Sequence, residues 1–451
     1  MINKVKGTKD YNAIDFQVKE FIRDIFMSLI QNYNYQMIET PILEHTSLFK
    51  RSVADSEIAN KEMYEFVDKG NREICLRPEG TASFVRALIE NKWYVNNEKF
   101  AYFGPMFRYE QPQKGRYRQF YQAGVELIGE KNYYKDVEVI QLANFILNSL
   151  EIPFTLKINT IGDFETRQKY EAKLIEYLTP YYDQLSKQSQ MRLDQKKALR
   201  ILDDKVDSTL DFVKNAPKIT EFLSKESKEY FDNVLKYLDA NEISYEVSSD
   251  LVRGLDYYDE VVFEFVSLDE NTGSQSTLIG GGRYSNLINQ LGGPKLSSVG
   301  FGFGVDRLIA IIGPKIIESN DFKQKLKGAN IFVAASVSQE NLNSLLTITN
   351  TFLRTLFNQV HTEYSLIKSK KIFDKAKSYN ASILICDDPK LPESVFIVKD
   401  LNTNEKIMFS DDPKGITDLT LFINDHIDPS DALDEEFLDE LIEGVMLDYD
   451  E

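Results

Sequence analysis

The chain has 451 residues, 42% hydrophobic and 27% charged, a globular balance that excludes fibrous and disordered classes and allows about two to four domains. No apolar run reaches the ~18 residues of a membrane helix, because the strongest, 299–313, is cut by Asp306 and Arg307, and MINKVKGTKDYN lacks the apolar core of a secretory signal. Net charge is −18, which argues against a nucleic-acid partner, but 12 of the 71 acidic residues and no Lys or Arg lie in 425–451, so the body is nearly balanced and a local basic patch is allowed.

In chain order, residues 17–33 place Val18, Phe21, Ile22, Ile25, Phe26 and Ile30 at helical spacing. MIETPILE (37–44) reads as extended, with Pro41 breaking its pairing. Thr81 is a plausible cap for the helix begun by ASFVRALIE. Residues 99–110 and 118–129 read as two strands, joined by a loop that carries Lys114, Arg116 and Arg118 and no acid. Residues 164–238 are charged and helical and read as an insertion between sheet-rich segments. Strand signals return at 244–266, a Gly-rich turn follows at 280–282, and 297–312 is apolar again. A boundary within 313–328 precedes a small α/β pattern over 329–424. Cys75 and Cys386 lie far apart in strand-like stretches, and His45, His361 and His426 have no second ligand at metal spacing. Neither a disulfide scaffold nor a zinc site is expected, and a reducing cytoplasm is.

If 118–129 is a strand, Phe120, Gln122, Gly124, Glu126 and Ile128 share one face. Arg108 and Glu110 share a face of the preceding strand. Gly300, Gly302 and Gly304 alternate, leaving a face without side chains on which a flat ligand could lie. An ordinary solvent face and tight helix-on-sheet packing account for the same two patterns. Arg253 stands in an apolar, aromatic stretch and needs a carboxylate or phosphate partner, for which Asp256 is also at hand. GGGR (280–283) reads as an anion-binding turn or simply a hairpin loop, and PEGT (78–81) as no more than a helix start. Together, arginines 108, 116, 253 and 307 with Glu79 and Glu126 beside glycines suit a site for polyphosphate and for an ammonium or imidazole.

KGTKDY (6–11), TPILEHTSLFKRSV (40–53), LRPEGTASFVRA (76–87), FRYEQPQKGRYRQFYQAGVELIG (107–129), LRILDDK (199–205), LVRGLDYY (251–258), GGGRY (280–284) and GFGFGVDRL (300–308) occur in that order. With them the chain resembles the histidyl-tRNA synthetases, of the class II aminoacyl-tRNA synthetases. The resemblance implies an α+β fold: a six-stranded antiparallel sheet with helices over 1–325, a helical insertion at about 164–238 that approaches the tRNA acceptor arm, and an anticodon-binding-like α/β domain at 329–424. It implies ligation of L-histidine to its tRNA through a histidyl-adenylate, with ATP and Mg²⁺ as substrate complex, no zinc, and a homodimer whose interface includes the stretch around Pro41. Carried over, Arg108 and Arg253 would be catalytic. Arg108, Glu110, Arg116, Phe120 and Arg307 would bind ATP. Glu79, Thr81, Gln122, Glu126, Arg253, Tyr257 and Tyr258 would bind histidine, and Gln111, Gln113, Lys114 and Arg118 would meet the acceptor end. Gln111, Tyr121 and Ser285 stand where the family commonly has arginine, histidine and aspartate.

Two alternatives keep the fold without aminoacylation: a paralogue such as the regulatory subunit of ATP phosphoribosyltransferase, and a sensor of uncharged tRNA. The acidic tail, 425–451, has no family counterpart. Leu433, Phe437, Leu438, Leu441, Ile442, Val445 and Met446 recur in it at helical spacing, so it reads either as a solvated extension or as a helix that docks on an unknown partner.

Overall fold

The computed structural model describes residues 2–52, 61–111, 115–202, 204, 206–249, 251, 257–269, 276–318, 330–357, 359–427 and 432–433. The chain divides into two compact units, Met1–Ile317 and Glu318–Glu451. Among the described residues no helix is long and apolar enough to cross a membrane.

Helix α1 (Ala13–Asn32) starts where Asn12 accepts the Asp15 N–H, and it buries Val18, Ile22, Phe26 and Ile30, the i, i+4 stripe of a core-facing helix. Strands β1 (Gln36–Ile38) and β2 (Leu43–His45) flank Pro41. After α2 (Thr46–Ser52), strands β3 (Tyr64–Val67) and β4 (Glu73–Leu76) complete a small sheet in the order β2-β4-β3. β4 leads into α3 (Thr81–Glu90), and here the cap differs from the expectation. Gly80 occupies the cap position, and Glu79 accepts the Thr81 and Ala82 N–H groups, each at 2.7 Å. Thr81 is thus inside the first turn, with its hydroxyl free to point elsewhere.

Strands β5 (Lys99–Phe107) and β6 (Gln119–Gly129) form the next hairpin. The first ends at Phe107, so Arg108 and Glu110 lie beyond the strand rather than on a shared face of it. Helix α4 (Tyr133–Ser149) and β7 (Phe154–Thr160) lead to the helical stretch α5 (Phe164–Leu178), α6 (Lys187–Asp194), α7 (Asp211–Lys214) and α8 (Lys225–Ala240). Tyr170, Leu174, Leu178, Leu193, Ile201, Val213 and Ile219 close a core between these helices. Strands β8 (Glu246–Val247), β9 (Asp259–Ser267) and β10 (Thr277–Tyr284), helix α9 (Leu287–Gln290), β11 (Ser297–Gly304) and α10 (Val305–Glu318) complete the unit.

The main sheet has eight strands in the order β1-β5-β6-β11-β10-β9-β7-β8, against the six expected. The central six pair antiparallel throughout, and the difference is two short parallel edges, β1 on β5 and β8 on β7. Gly280–Gly282 form no turn. They lie inside β10, paired to β11 and β9 on either side.

In the second unit, β12 (Ile331–Ala334), α11 (Gln339–Ile348), β13 (Val360–Thr362), α12 (Ser369–Ser378), β14 (Ile383–Cys386), β15 (Val395–Asp400), β16 (Lys406–Ser410) and α13 (Pro413–His426) build a sheet in the order β13-β12-β14-β15-β16. Leu342, Leu345, Ile416, Leu419 and Ile423 of α11 and α13 cover one face, while Ile372 and Ala376 of α12 meet Phe332, Ala334 and Leu384 on the other.

Candidate active site

The central strands expose a floor almost without side chains. Register pairs Gly300 with Glu126, Gly302 with Gly124 and Gly304 with Gln122, and β10 adds Gly282 opposite Gly300 and Gly280 opposite Gly302. Paired residues of an antiparallel ladder share a face, so Gln122, Gly124 and Glu126 stand beside a glycine strip. The strip is filled differently along its length. A Cβ on Gly300 would collide with Glu126 Oε2, whereas a Cβ on Gly304 would meet none of the described residues within 4 Å. The floor is therefore packed at the Glu126 end and open at the Gln122 end. The ring of Tyr258 closes over Gly282, where a Cβ would approach its Cδ1 to 2.9 Å.

Glu126, 1% exposed, is held from both sides: Thr81 Oγ1 donates to Oε1 at 2.8 Å and the Tyr284 hydroxyl to Oε2 at 2.7 Å. Burial pushes its pKa up to about 8 against those two bonds, with the nearby Glu79 charge raising it further. Glu79 is raised too, by burial, opposed by the two N–H bonds and by Arg108. Tyr257 lies tilted against Tyr258 at 4.7 Å and edge-on to Tyr284 at 5.4 Å, which encloses the carboxylate in aromatic rings. Gln122 donates to Tyr102 Oη at 3.0 Å, but its Oε1 is buried with no partner among the described residues. A buried acceptor of this kind in a cleft is able to take an N–H from a ligand.

The basic groups line the rim. Arg108 is fixed by a 2.8 Å bond to the Pro78 carbonyl and lies 5.3 Å from the Phe120 ring centroid. Arg116 pairs with Glu110 at 2.9 Å. Arg307, bonded to the Thr277 carbonyl, has its pKa lowered by burial and then by the like charge of Arg116. A group of guanidiniums that repel one another is ready for a polyanion. Arg118 is committed elsewhere, to the Glu110 and Lys6 carbonyls and over the Tyr109 ring. Gln111 is exposed at the rim. Arg253, Asp256, Gln113 and Lys114 lie outside the described residues.

A family model for histidyl-tRNA synthetase matches residues 7–308. The histidine–tRNA ligase of Mycoplasmopsis pulmonis is 39% identical over 427 residues, covering 94% of this chain and 99% of that protein. The chain belongs to the histidyl-tRNA synthetase family. The ligase of Ureaplasma urealyticum serovar 10 is 42% identical over 424 residues, 92% of this chain and 98% of its own. The crystal structure of apo S. aureus histidyl-tRNA synthetase superposes with a TM-score of 0.75 at 33% identity, covering 94% of this chain and 100% of that one. A Bacillus halodurans C structure described as an ATP phosphoribosyltransferase regulatory subunit/histidyl-tRNA synthetase is 20% identical, with a TM-score of 0.58 over 86% of this chain and 98% of that one. That likeness is one of fold.

Within this histidyl-tRNA synthetase fold, the sequence reading missed Tyr284 and Tyr102. Had Gly280–Gly282 been read as strand, parity would have put Tyr284 on the glycine face. Arg283, one residue earlier, points to the other side and is no anion-binding group. It is fully buried on Asp136, with contacts of 2.7 and 3.0 Å, and donates to Ser297 Oγ at 2.6 Å. Asp136 also accepts the Tyr230 hydroxyl of α8 at 2.5 Å, so α8 is tied to the strand that carries Tyr284. Ser285, in place of the family's common aspartate, donates to Asp259 from its N–H at 2.9 Å and its hydroxyl at 3.0 Å. Burial still pushes Asp259 up to about 6. Among the described residues no group of three or more His, Cys, Asp or Glu could hold a metal ion.

Proposed function

We infer that this chain ligates L-histidine to the 3′-terminal ribose of its tRNA, by way of histidyl-adenylate formed from ATP. The observation that carries the reading is Glu126: a buried carboxyl clamped by Thr81 and Tyr284 beside a side-chain-free floor, within the fold of a family whose named relatives are histidine ligases. Its raised pKa keeps it largely protonated at neutral pH, so it can give a proton to an arriving imidazole and remain as a carboxylate held by both donors. A site built to hydrogen-bond its substrate rejects analogues that cannot reciprocate.

The remaining roles follow the geometry. Glu79 takes the substrate ammonium, and the Gln122 acceptor takes an N–H from the substrate. Tyr257 and Tyr258 wall the imidazole, and Phe120 and Glu110 face the adenine. The substrate fits the residues present, because the open end of the floor admits a flat base and the rim offers guanidiniums to the phosphates. The histidine carboxylate oxygen bonds to the α-phosphorus as the bond to the β-phosphate oxygen breaks, releasing pyrophosphate. Arg108 and Arg253 stabilise charge on the α-phosphoryl oxygens, and Arg116 and Arg307 hold the leaving phosphates. Mg²⁺ belongs to the nucleotide substrate and supplies charge neutralisation there. The ribose 3′-hydroxyl then attacks the activated carbonyl and AMP leaves.

Helices α5–α8 are assigned to the acceptor arm, with Gln111, Gln113, Lys114 and Arg118 at its end, and the second unit to the anticodon. The exposed apolar residues Met37, Ile42 and Leu43 near Pro41, with Phe66 and Val67 on β3 of the same small sheet as Leu43, support a homodimer, since exposed apolar surface marks interfaces. A tRNA substrate is in keeping with the cytoplasmic location expected from the sequence. The test is ATP–pyrophosphate exchange with each of the twenty amino acids, where exchange with histidine alone is expected. An Arg253→Ala protein should keep its fold and lose exchange, and near-wild-type exchange in that variant would remove the role assigned to Arg253.

A further inference from the structure

The sheet of the second unit is covered unevenly. Pairing puts Leu384, Cys386, Ile397, Lys399, Lys406 and Met408 on one face. Helix α12 packs over β12 and β14 on that face and stops short of β15 and β16. Among the described residues no helix covers the other half of that face, the strip called the trough below. Its floor is Ile397 and Met408, the latter 64% exposed, and its wall is Phe373 of α12, 43% exposed. Lysines surround it. Lys399 Nζ sits 5.1 Å from the Phe373 ring centroid, Lys406 pairs across from Lys399, and Lys370 and Lys377 flank Phe373 at i−3 and i+4. Lys370, Lys377, Lys399 and Lys406 have no carboxylate partner among the described residues.

The chain that leaves this unit has the complementary chemistry. Residues 425–451 hold 12 acidic residues and no Lys or Arg, with apolar residues at helical spacing from Leu433 to Met446. Its exit point is close to the trough. His426 Nε2 lies 2.8 Å from Glu405 Oε2 at the start of the edge strand β16, beside Lys406. Leu433, whose N–H donates to Asn424 Oδ1 at 2.7 Å, still packs on the α13 side. The residues that follow it, 434–451, span about 27 Å as a helix, against about 10 Å to pass from one face of the sheet to the other and about 5 Å from β16 to β15.

We propose that the acidic segment 434–451 docks in this trough, its apolar stripe on Ile397, Met408 and Phe373 and its carboxylates on Lys370, Lys377, Lys399 and Lys406. The surface is both apolar and cationic, and no other stretch of the chain is both apolar-striped and purely anionic. The docking is intramolecular and independent of the aminoacylation chemistry.

Zero-length carbodiimide cross-linking of the full chain, mapped by mass spectrometry, tests it. Cross-links from Glu435, Glu436, Asp439, Glu440 or Glu443 to the four lysines are expected, and they should fall steeply in high salt as exposed charges are screened. Lys399→Glu with Lys406→Glu should abolish them, and deletion of 434–451 should raise acetylation of Lys399 and Lys406 several-fold. Absence of those cross-links from the folded chain overturns the proposal. So do cross-links found only between isotopically distinct chains of a mixed sample. Lysine protection that ignores the deletion and appears only with added tRNA assigns the trough to RNA instead, and also overturns it.

Discussion

Replacing Tyr284 by phenylalanine deletes one hydroxyl from a fully packed ring and removes one of the two bonds that hold Glu126. The size of the effect depends on pH in a way the site fixes. In the unfolded chain Glu126 ionises near the ordinary carboxylate value, and in the folded chain at about 8, chiefly through burial. Across that window the folded state binds more protons, so the native protein loses stability as pH rises through it. Tyr284→Phe takes away an interaction that lowers the Glu126 pKa, so the variant's folded pKa moves higher still and its loss continues to higher pH. At pH 6 the carboxyl is protonated and the missing bond is neutral, worth about 1 kcal/mol. At pH 9 the wild-type group is a carboxylate and the missing bond is charge-assisted, about 1.5–3 kcal/mol. Urea unfolding of both proteins at the two pH values should therefore show a penalty that grows by roughly 0.5–2 kcal/mol with pH. The histidine KM in the exchange reaction should rise in parallel. A penalty that is constant, or smaller at pH 9, would refute both the protonated Glu126 and the part given to Tyr284.

Three further outcomes are expected. Gln122→Leu removes the orphaned acceptor, so urea unfolding should change by no more than about 1 kcal/mol, while the histidine KM rises on the order of tenfold, ~1.4 kcal/mol; an unchanged KM would take Gln122 out of the site. Gly304→Ala adds a Cβ where none of the described residues lies within 4 Å, so stability should stay within about 0.5 kcal/mol while the KM for ATP rises, and normal nucleotide kinetics would mean that no ligand uses that end of the floor. Tyr230→Phe breaks the 2.5 Å bond to Asp136 and should cost about 1–2 kcal/mol in thermal or urea unfolding. Pyrophosphate exchange should be unaffected and the KM for tRNA raised, and a stability loss with no change in tRNA KM would sever α8 from the acceptor arm.

The parts of the fold carried by a single period were legible in the sequence. The alternation of Gln122, Gly124 and Glu126 against Gly300, Gly302 and Gly304 is a statement about one strand at a time, and the ladder joins the two strands in register. What the sequence hid was set by neighbours distant in the chain. Three consecutive glycines signal a turn by local rule, yet Gly280–Gly282 are a central strand because β9 and β11 bracket them. A Cβ at Gly281 would meet the Gly300 carbonyl and the Phe263 ring. Arg283 looked like a ligand-binding group because its partner, Asp136, is far off in sequence on α4. Strands β13 and β16 are too short or too mixed to stand out before the sheet assembles, and α13 follows only once β16 gives its apolar side a surface.

The start of α3 has a consequence for how a substrate is oriented. A helix N-terminus is a positive pole that draws anions, and an amino acid meeting it bare would present its carboxylate. Here Glu79 occupies the Thr81 and Ala82 N–H groups and caps the pole with a carboxylate, reversing its sign. A zwitterion entering the cleft then finds negative charge at α3 and positive charge at Arg108, bound close by to the Pro78 carbonyl. With the roles proposed above, the pair would act as a compass, turning the ammonium inward and the reacting carboxylate toward the phosphates before any chemistry begins.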